Sequence, residues 1–301
     1  MRRLGEYILR GRLQAVLVTS FFAFIGLILP LFSYICGGLV PAFVTLRKGA
    51  VNGIQVIIGS LVLTVVFALT VKINPYIIIA FAIGVWIPVW CCATVLRISE
   101  NQGYMIVAAG CIVLLYIVLV HLMVADVTDL WRQWMAVWLE QAVKPGKQDQ
   151  LREIMDNAAP VMNAIVAAGL FVSLVVTLLI SRWWQACLFN PGGFKMEFYS
   201  LRLPRWLIAA VLICVILVVT GYAHPGSVAL DIFILLIFVY LFQGLAGLHR
   251  LIAGRNLATG WLVGIYILML IVPQIILFIA CFGMADSWLI KQGQSRQNDN
   301  S

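Results

Sequence analysis

The chain has 301 residues, 63% of them hydrophobic and only 11% charged. A soluble domain carries about 25% charged residues, and several apolar runs here reach the roughly 18 residues needed to cross a ~30 Å hydrocarbon layer, which excludes a soluble globular protein. The net charge of +8 reads as Lys and Arg gathered on inner loops, where they set membrane orientation, and not as a nucleic-acid surface. The expected fold class is all-α: one polytopic transmembrane helix bundle over residues 1–301, with about eight to ten membrane segments and an outer amphipathic helical insertion.

The start, MRRLGEYILRGR, is a basic amphipathic stub without the features of a cleavable signal. Arg2, Arg3, Arg10 and Arg12 hold it on the inner side. The apolar stretch from Leu13 to Leu46 is too long for one span and is split by Pro30 into helices over 13–29 and 30–46. Gly37 and Gly38 allow close packing or a bend in the second. Arg47 and Lys48 mark its inner end. Spans follow over 53–71 and 76–96, joined by an outer turn at Lys72–Pro75. Arg97–Gly103 forms an inner loop, and a fifth span covers 104–124.

Residues 125–160 form the one sizeable polar insertion between spans. Leu130, Trp131, Trp134, Met135 and Trp138 recur at helical spacing; Leu151, Ile154 and Met155 form a second stripe beyond Lys144-Pro145-Gly146-Lys147. Two short amphipathic helices in the outer interface fit this pattern, because Trp prefers the headgroup zone. Pro160 is expected to open the sixth span, which ends near Ile180 with Arg182 inside. A cytoplasmic loop then occupies 182–206. Spans over 206–222 and 228–248 enclose an outer turn at Tyr222–Ser227; His249, Arg250 and Arg255 place the next end inside. The last apolar run, Trp261–Ala285, is either one tilted span or a hairpin broken at Pro273. The tail 287–301 is expected to be disordered.

Chemistry is sparse. The seven cysteines are free of metal spacing, and a disulfide framework is not expected. His121, His224 and His249 are far apart in the expected topology, so no metal site is read. The phosphate-loop, nucleophile-elbow and zinc-helix signatures are missing, no catalytic residue is assigned, and neither enzyme activity nor a cofactor is expected. No single span carries an Asp/Glu/His series of the proton-relay type. A small-molecule pocket would draw its polar contacts from Gln55, Asn163, Asp231, Tyr240, Gln243 and Gln274. Asp231, one turn into its helix, is also well placed against the helix dipole, and Gln274 can satisfy a carbonyl freed by Pro273.

The densest polar stretch is NPGGFKMEFYSLRLPRW, residues 190–206. Asn190-Pro191-Gly192-Gly193 is strong turn chemistry. Phe194, Phe198 and Leu201 then share one face of a short helix. Lys195 and Arg202 take much of the rest, and either could pair with Glu197. The segment reads as an interfacial helix at anionic headgroups, or as a docking surface built from Asn190, Gly192, Gly193, Phe194, Lys195, Glu197 and Arg202.

The start MRRLGEYILRGRLQA, the TLRKG after the first hairpin, the NPGGFKMEFYSLRL loop and the terminal FGMADSW together resemble the YybS-like family of bacterial multi-spanning membrane proteins. That family is similar in fold to the membrane substrate-binding subunits of energy-coupling-factor transporters. The resemblance implies a bacterial cytoplasmic (inner) membrane location, a bundle that can hold a small ligand, and a cytoplasmic partner. Three functions follow in order. The first is a small-molecule or lipid-binding protein of transporter type without its own ATPase. The second is a scaffold or assembly factor that docks another membrane or cytoplasmic protein through 190–206 and the Trp-rich insertion. The third is a membrane enzyme acting on lipid-linked substrates. Membrane lipids are expected partners throughout.

The orientation is testable. With arginine-marked loops inside, a cysteine introduced at Gly193 should stay unlabelled by a membrane-impermeant maleimide in intact spheroplasts and become labelled after lysis.

Overall fold

The computed structural model describes residues 2–28, 33–142 and 148–298; Pro30 and the 144–147 turn lie outside them. The fold is all-helical, as composition demands: with no water in the hydrocarbon layer, each backbone N–H and C=O must be satisfied within the chain, and a helix does this locally. Among the described residues, five helices are long and apolar enough to cross a membrane, and four shorter apolar helices accompany them. The chain divides into two compact units, one made of 1–109 and 172–202, the other of 110–171 and 203–301.

The first unit begins with α1 (Arg2–Arg10), α2 (Arg12–Ile28), α3 (Ser33–Lys48) and α4 (Ala50–Thr70). A kinked span follows as α5 (Pro75–Phe81), a π-helical turn at Ala82–Trp86, and α6 (Ile87–Ser99). The core gathers where Phe43 of α3 stacks on Trp184 at 4.6 Å, surrounded by Ile8, Ala15, Val40, Val44 and Val56. Glycine lets α3 approach its neighbours. A Cβ on Gly53 would lie 2.0 Å from Thr45 Oγ1, and one on Gly38 would meet both Thr177 and Val89.

Two prolines inside these spans leave carbonyls without their usual donors, since a proline has no N–H to offer the residue four positions back. Pro41 strands the carbonyl of Gly37, and Trp86 donates its indole N–H to that oxygen at 3.0 Å. Pro88 strands the carbonyl of Gly84, and the hydroxyl of Tyr34 donates to it. Each gap is therefore filled from the partner span: α3 supplies Tyr34 and accepts Trp86 in return. The π turn just before Pro88 takes up the extra residue that the ring's clash displaces.

The second unit contains most of α7 (Gln102–Met123), then α8 (Val127–Ala142) and the first part of α9 (Gln148–Phe189). It continues with α11 (Trp206–Val219), α12 (Val228–Gly254), α13 (Gly260–Ile271) and α14 (Ile275–Asn298), while α10 (Gly193–Tyr199) belongs to the first unit. α12 and α14 pack backbone to backbone. A Cβ on Gly244 would come 2.0 Å from the Ile279 carbonyl oxygen, and one on Gly283 2.5 Å from that of Tyr240. Small residues let helices touch in this way where lipid gives them no hydrophobic drive to associate. α13 has no buried residue at all.

Several expectations change here. Pro160 does not open a helix but lies inside α9, which runs unbroken for 42 residues, about 63 Å at 1.5 Å per residue. One missing hydrogen bond did not outweigh twelve preceding residues free of glycine and proline. The second amphipathic stripe is thus the first turns of a span rather than a separate helix. On α8, Met135 and Leu139 turn inward while Trp134 and Trp138 stay exposed. The last apolar run is broken at Val272–Gln274 into α13 and α14, at the proline the sequence marks. Helical backbone continues through 287–298, where a disordered tail is expected; Lys, Gln and Arg there are good helix formers.

Replacing Trp86 by Phe should cost about 1–2 kcal/mol, the penalty of a buried acceptor left unpaired, and lower the melting temperature in detergent. Trp206→Phe, at an exposed position, should leave it unchanged.

Candidate functional site

The most polar buried place in the second unit forms around Asp231. The turn ahead of it uses Gly226 at φ +87°, and Ser227 then caps α12 by accepting from the Leu230 N–H at 3.3 Å. This puts Asp231 in the first turn of α12, where the dipole favours an anion. Its side chain is 1% exposed. Oδ2 receives His121 Nε2 of α7 at 2.8 Å and Asn163 Nδ2 of α9 at 2.5 Å. Asn163 Oδ1 in turn accepts from the Tyr116 hydroxyl at 3.1 Å. A carboxylate only accepts, so His121 is the donor at Nε2. His121 sits in the last turn of α7, the end of a helix dipole that favours a cation.

Three spans therefore deliver four polar side chains to one point. α7, α9 and α12 thus hold one acid, one imidazole, one amide and one phenol in a single hydrogen-bonded cluster. Asp231 Oδ1 is buried and has no partner. A carboxylate oxygen removed from water is costly unless something donates to it, so this atom is where a ligand's donor would be most strongly held.

The six sequence-designated residues do not form one pocket. Asn163 and Asp231 meet directly. Tyr240 and Gln243 lie about 14 and 18 Å further along α12. Tyr240 is fully buried with its hydroxyl unpartnered. Gln243 accepts from the Leu203 N–H at 3.0 Å and donates to Ser287 Oγ at 2.6 Å, which makes it a tie between α12, α14 and the chain entering α11. Gln55 and Gln274 are exposed. His121 and Tyr116 were missed because nothing local marks them; only the approach of α7 to α12 does. His224 and His249 lie elsewhere, each beside a backbone carbonyl at about 3 Å.

The 190–206 stretch belongs to the first unit as far as Arg202. Gly192 takes φ +88°, the Gly193 N–H donates to the Asn190 carbonyl at 3.0 Å, and the chain reverses so that α10 returns along the end of α9. That reversal decides the fate of Glu197. It pairs with neither Lys195 nor Arg202 but with Arg182, through Nε at 2.8 Å and through Nη2. Arg182 also donates to Gln185 Oε1 at 2.6 Å. Lys195 instead lies over the Tyr199 ring, and Phe194 stacks on Phe198. Leu201 is buried, while Arg202 and Asn190 are exposed. The Arg202 carbonyl packs so closely on Gly103 that a Cβ there would stand 2.0 Å from it.

A polytopic helical membrane protein, with a buried acid–imidazole pair in its second unit, is what the fold defines. Residues 17–287 match the family described as "Predicted membrane protein (DUF2232)". The chain belongs to that family. No curated protein and no solved structure matches it.

The Arg182–Glu197 pair gives a direct test. Glu197→Gln should destabilise the protein by about 2 kcal/mol by stranding a partly buried guanidinium. Arg182→Gln combined with Glu197→Gln should cost less than the sum of the single changes, giving a coupling of about 1–2 kcal/mol in a double-mutant cycle of thermal melts.

Proposed function

We propose that this chain is a small-molecule-binding membrane protein of transporter type, without its own ATPase, whose ligand engages the Asp231–His121–Asn163–Tyr116 cluster. One observation carries this reading: a carboxylate buried within the spans, held on one oxygen by His121 and Asn163 and left open on the other. Ionisable groups inside a membrane are expensive and mark ligand or ion paths. One feature of the same unit supports it: the run broken at Val272–Gln274 is an interruption of the kind found in transporters. The open Oδ1 selects a ligand that brings a donor: an ammonium, a hydroxyl or an amide N–H.

The finer placement is part of the same reading: a YybS-like member in the bacterial cytoplasmic membrane, its N-terminus inside, related in design to energy-coupling-factor binding subunits and working with a cytoplasmic partner. A second reading is a scaffold that docks proteins through 190–206 and the outer insertion. It draws on exposed Met196, Trp134 and Trp138.

Mass spectrometry of protein extracted in native lipid tests both. Wild type should retain a stoichiometric small ligand, and the near-isosteric Asp231→Asn should retain at least about tenfold less, a change worth ~1.4 kcal/mol, when both are compared well below the melting temperature of the variant. A protein partner retained equally by wild type and Asp231→Asn, with no small ligand in either, would favour the scaffold instead.

A further inference from the structure

The first unit holds a cleft of about 580 Å³, lined mainly by polar atoms and walled by the ends of α3, α6 and α9 and by the returning α10. Its volume is in the range of ligand pockets. Three guanidiniums face it, from Arg47, Arg97 and Arg182, against two carboxylates, Glu100 and Glu197. The arginines are not equivalent. Arg182 is charge-paired by Glu197 and also donates to Gln185, and it serves as wall. Arg97 gives one Nη1 hydrogen to the Leu46 carbonyl at 2.6 Å, and that carbonyl also receives Gln185 Nε2 at 3.4 Å. Arg47 lies with its guanidinium carbon 3.9 Å from the centre of the Phe189 ring.

The anchors of Arg47 and Arg97 are thus a ring face and a neutral carbonyl. Both hold the side chain in place, and neither cancels its charge. Among the described residues neither guanidinium has a carboxylate within ion-pair distance. A guanidinium stacked on a ring keeps its N–H edge free, which is the edge that matches two oxygens of a phosphate. Capping of α3 accounts for one hydrogen of Arg97 and for nothing of Arg47. Glu100 limits what can enter. With Glu197 already spent on Arg182, the lining carries a single net positive charge, which suits a monoanion and opposes a polyanion.

We infer that this cleft is a binding site for a monoanionic phosphoryl group, held by Arg47 and Arg97 with the Arg182–Glu197 pair as its rigid wall. Two sources share that chemistry: the phosphodiester of an anionic lipid headgroup, and free phosphate or a soluble phosphate ester. The site is separate in residues from the Asp231 cluster and goes beyond the function proposed for it.

The full chain, purified and delipidated in a neutral detergent, should be titrated by calorimetry with short-chain phosphatidylglycerol, with short-chain phosphatidylcholine and with inorganic phosphate. Saturable binding of phosphatidylglycerol over phosphatidylcholine, with phosphate inert, assigns a lipid headgroup; saturable binding of phosphate assigns a soluble ligand. In either case Arg47→Gln/Arg97→Gln should weaken binding at least about tenfold, and Arg255→Gln, which removes an exposed charge elsewhere, should change it less than about twofold. Should the double variant melt early, Arg47→Gln alone carries the test, since that side chain only rests on a ring. Absence of binding by both anionic probes, or undiminished binding in a folded Arg47→Gln variant, overturns the inference. Neither result bears on ligand retention at Asp231, which is read out separately.

Discussion

Hydrocarbon offers nothing to a backbone carbonyl, and this protein places prolines inside its spans all the same. The first unit depends on how those gaps are closed. Pro41 and Pro88 each expose an oxygen, and the donors that cover them are Trp86 and Tyr34, each carried by the opposite span. This reciprocity ties α3 to the π-kinked span more specifically than shape alone, because an unpaired carbonyl is costly away from water and a misplaced register would uncover two. Around that brace the Phe43–Trp184 stack and the glycine crossings find their positions. The second unit uses another device, the direct backbone contact of α12 with α14 through Gly244 and Gly283.

Within that glycine-packed unit the Asp231 cluster buries a carboxylate in a mainly apolar interior. Its geometry is economical: helix ends of opposite polarity bring together an acid and an imidazole that each dipole already favours, and Asn163 bridges them to Tyr116. The first unit solves a related problem at the ends of its spans. There Glu197 neutralises one arginine out of three, and the others are steadied by an aromatic face and a carbonyl, so that ordered positive charge remains at the cleft.

How much of this could be read from the chain alone depended on the range of the signal. The membrane segments were legible because hydrophobicity accumulates along contiguous residues, and the 53–71, 76–96 and 104–124 expectations fall close to α4, the α5–α6 span and α7. At Pro273 the sequence left one tilted span and a broken run both open, and the structure breaks the run there, with Val272 and Gln274 outside the helices. Pro160 misled because the run before it, free of glycine and proline, carried the helix through the gap. The pairing of Glu197 with Arg182 required knowing how tightly the Asn190–Gly193 turn folds the chain back. His121 and Asp231, 110 positions apart, share no local feature, so their meeting appears only once three spans are packed. Gln243 looked like a ligand contact and is a brace, a distinction that rests on where Leu203 and Ser287 come to lie.

The shortness of α11 and α13 has a consequence for the surrounding bilayer. At 14 and 12 residues they rise about 21 and 18 Å, well under a ~30 Å acyl layer. Both are lined with exposed apolar side chains; were either to cross alone, acyl chains beside it would compress or tilt to keep polar termini wet, at fractions of a kcal/mol per ångström of mismatch. A lipid annulus around such a helix would be dimpled, and bilayers of shorter acyl chains would accommodate it with the least elastic strain.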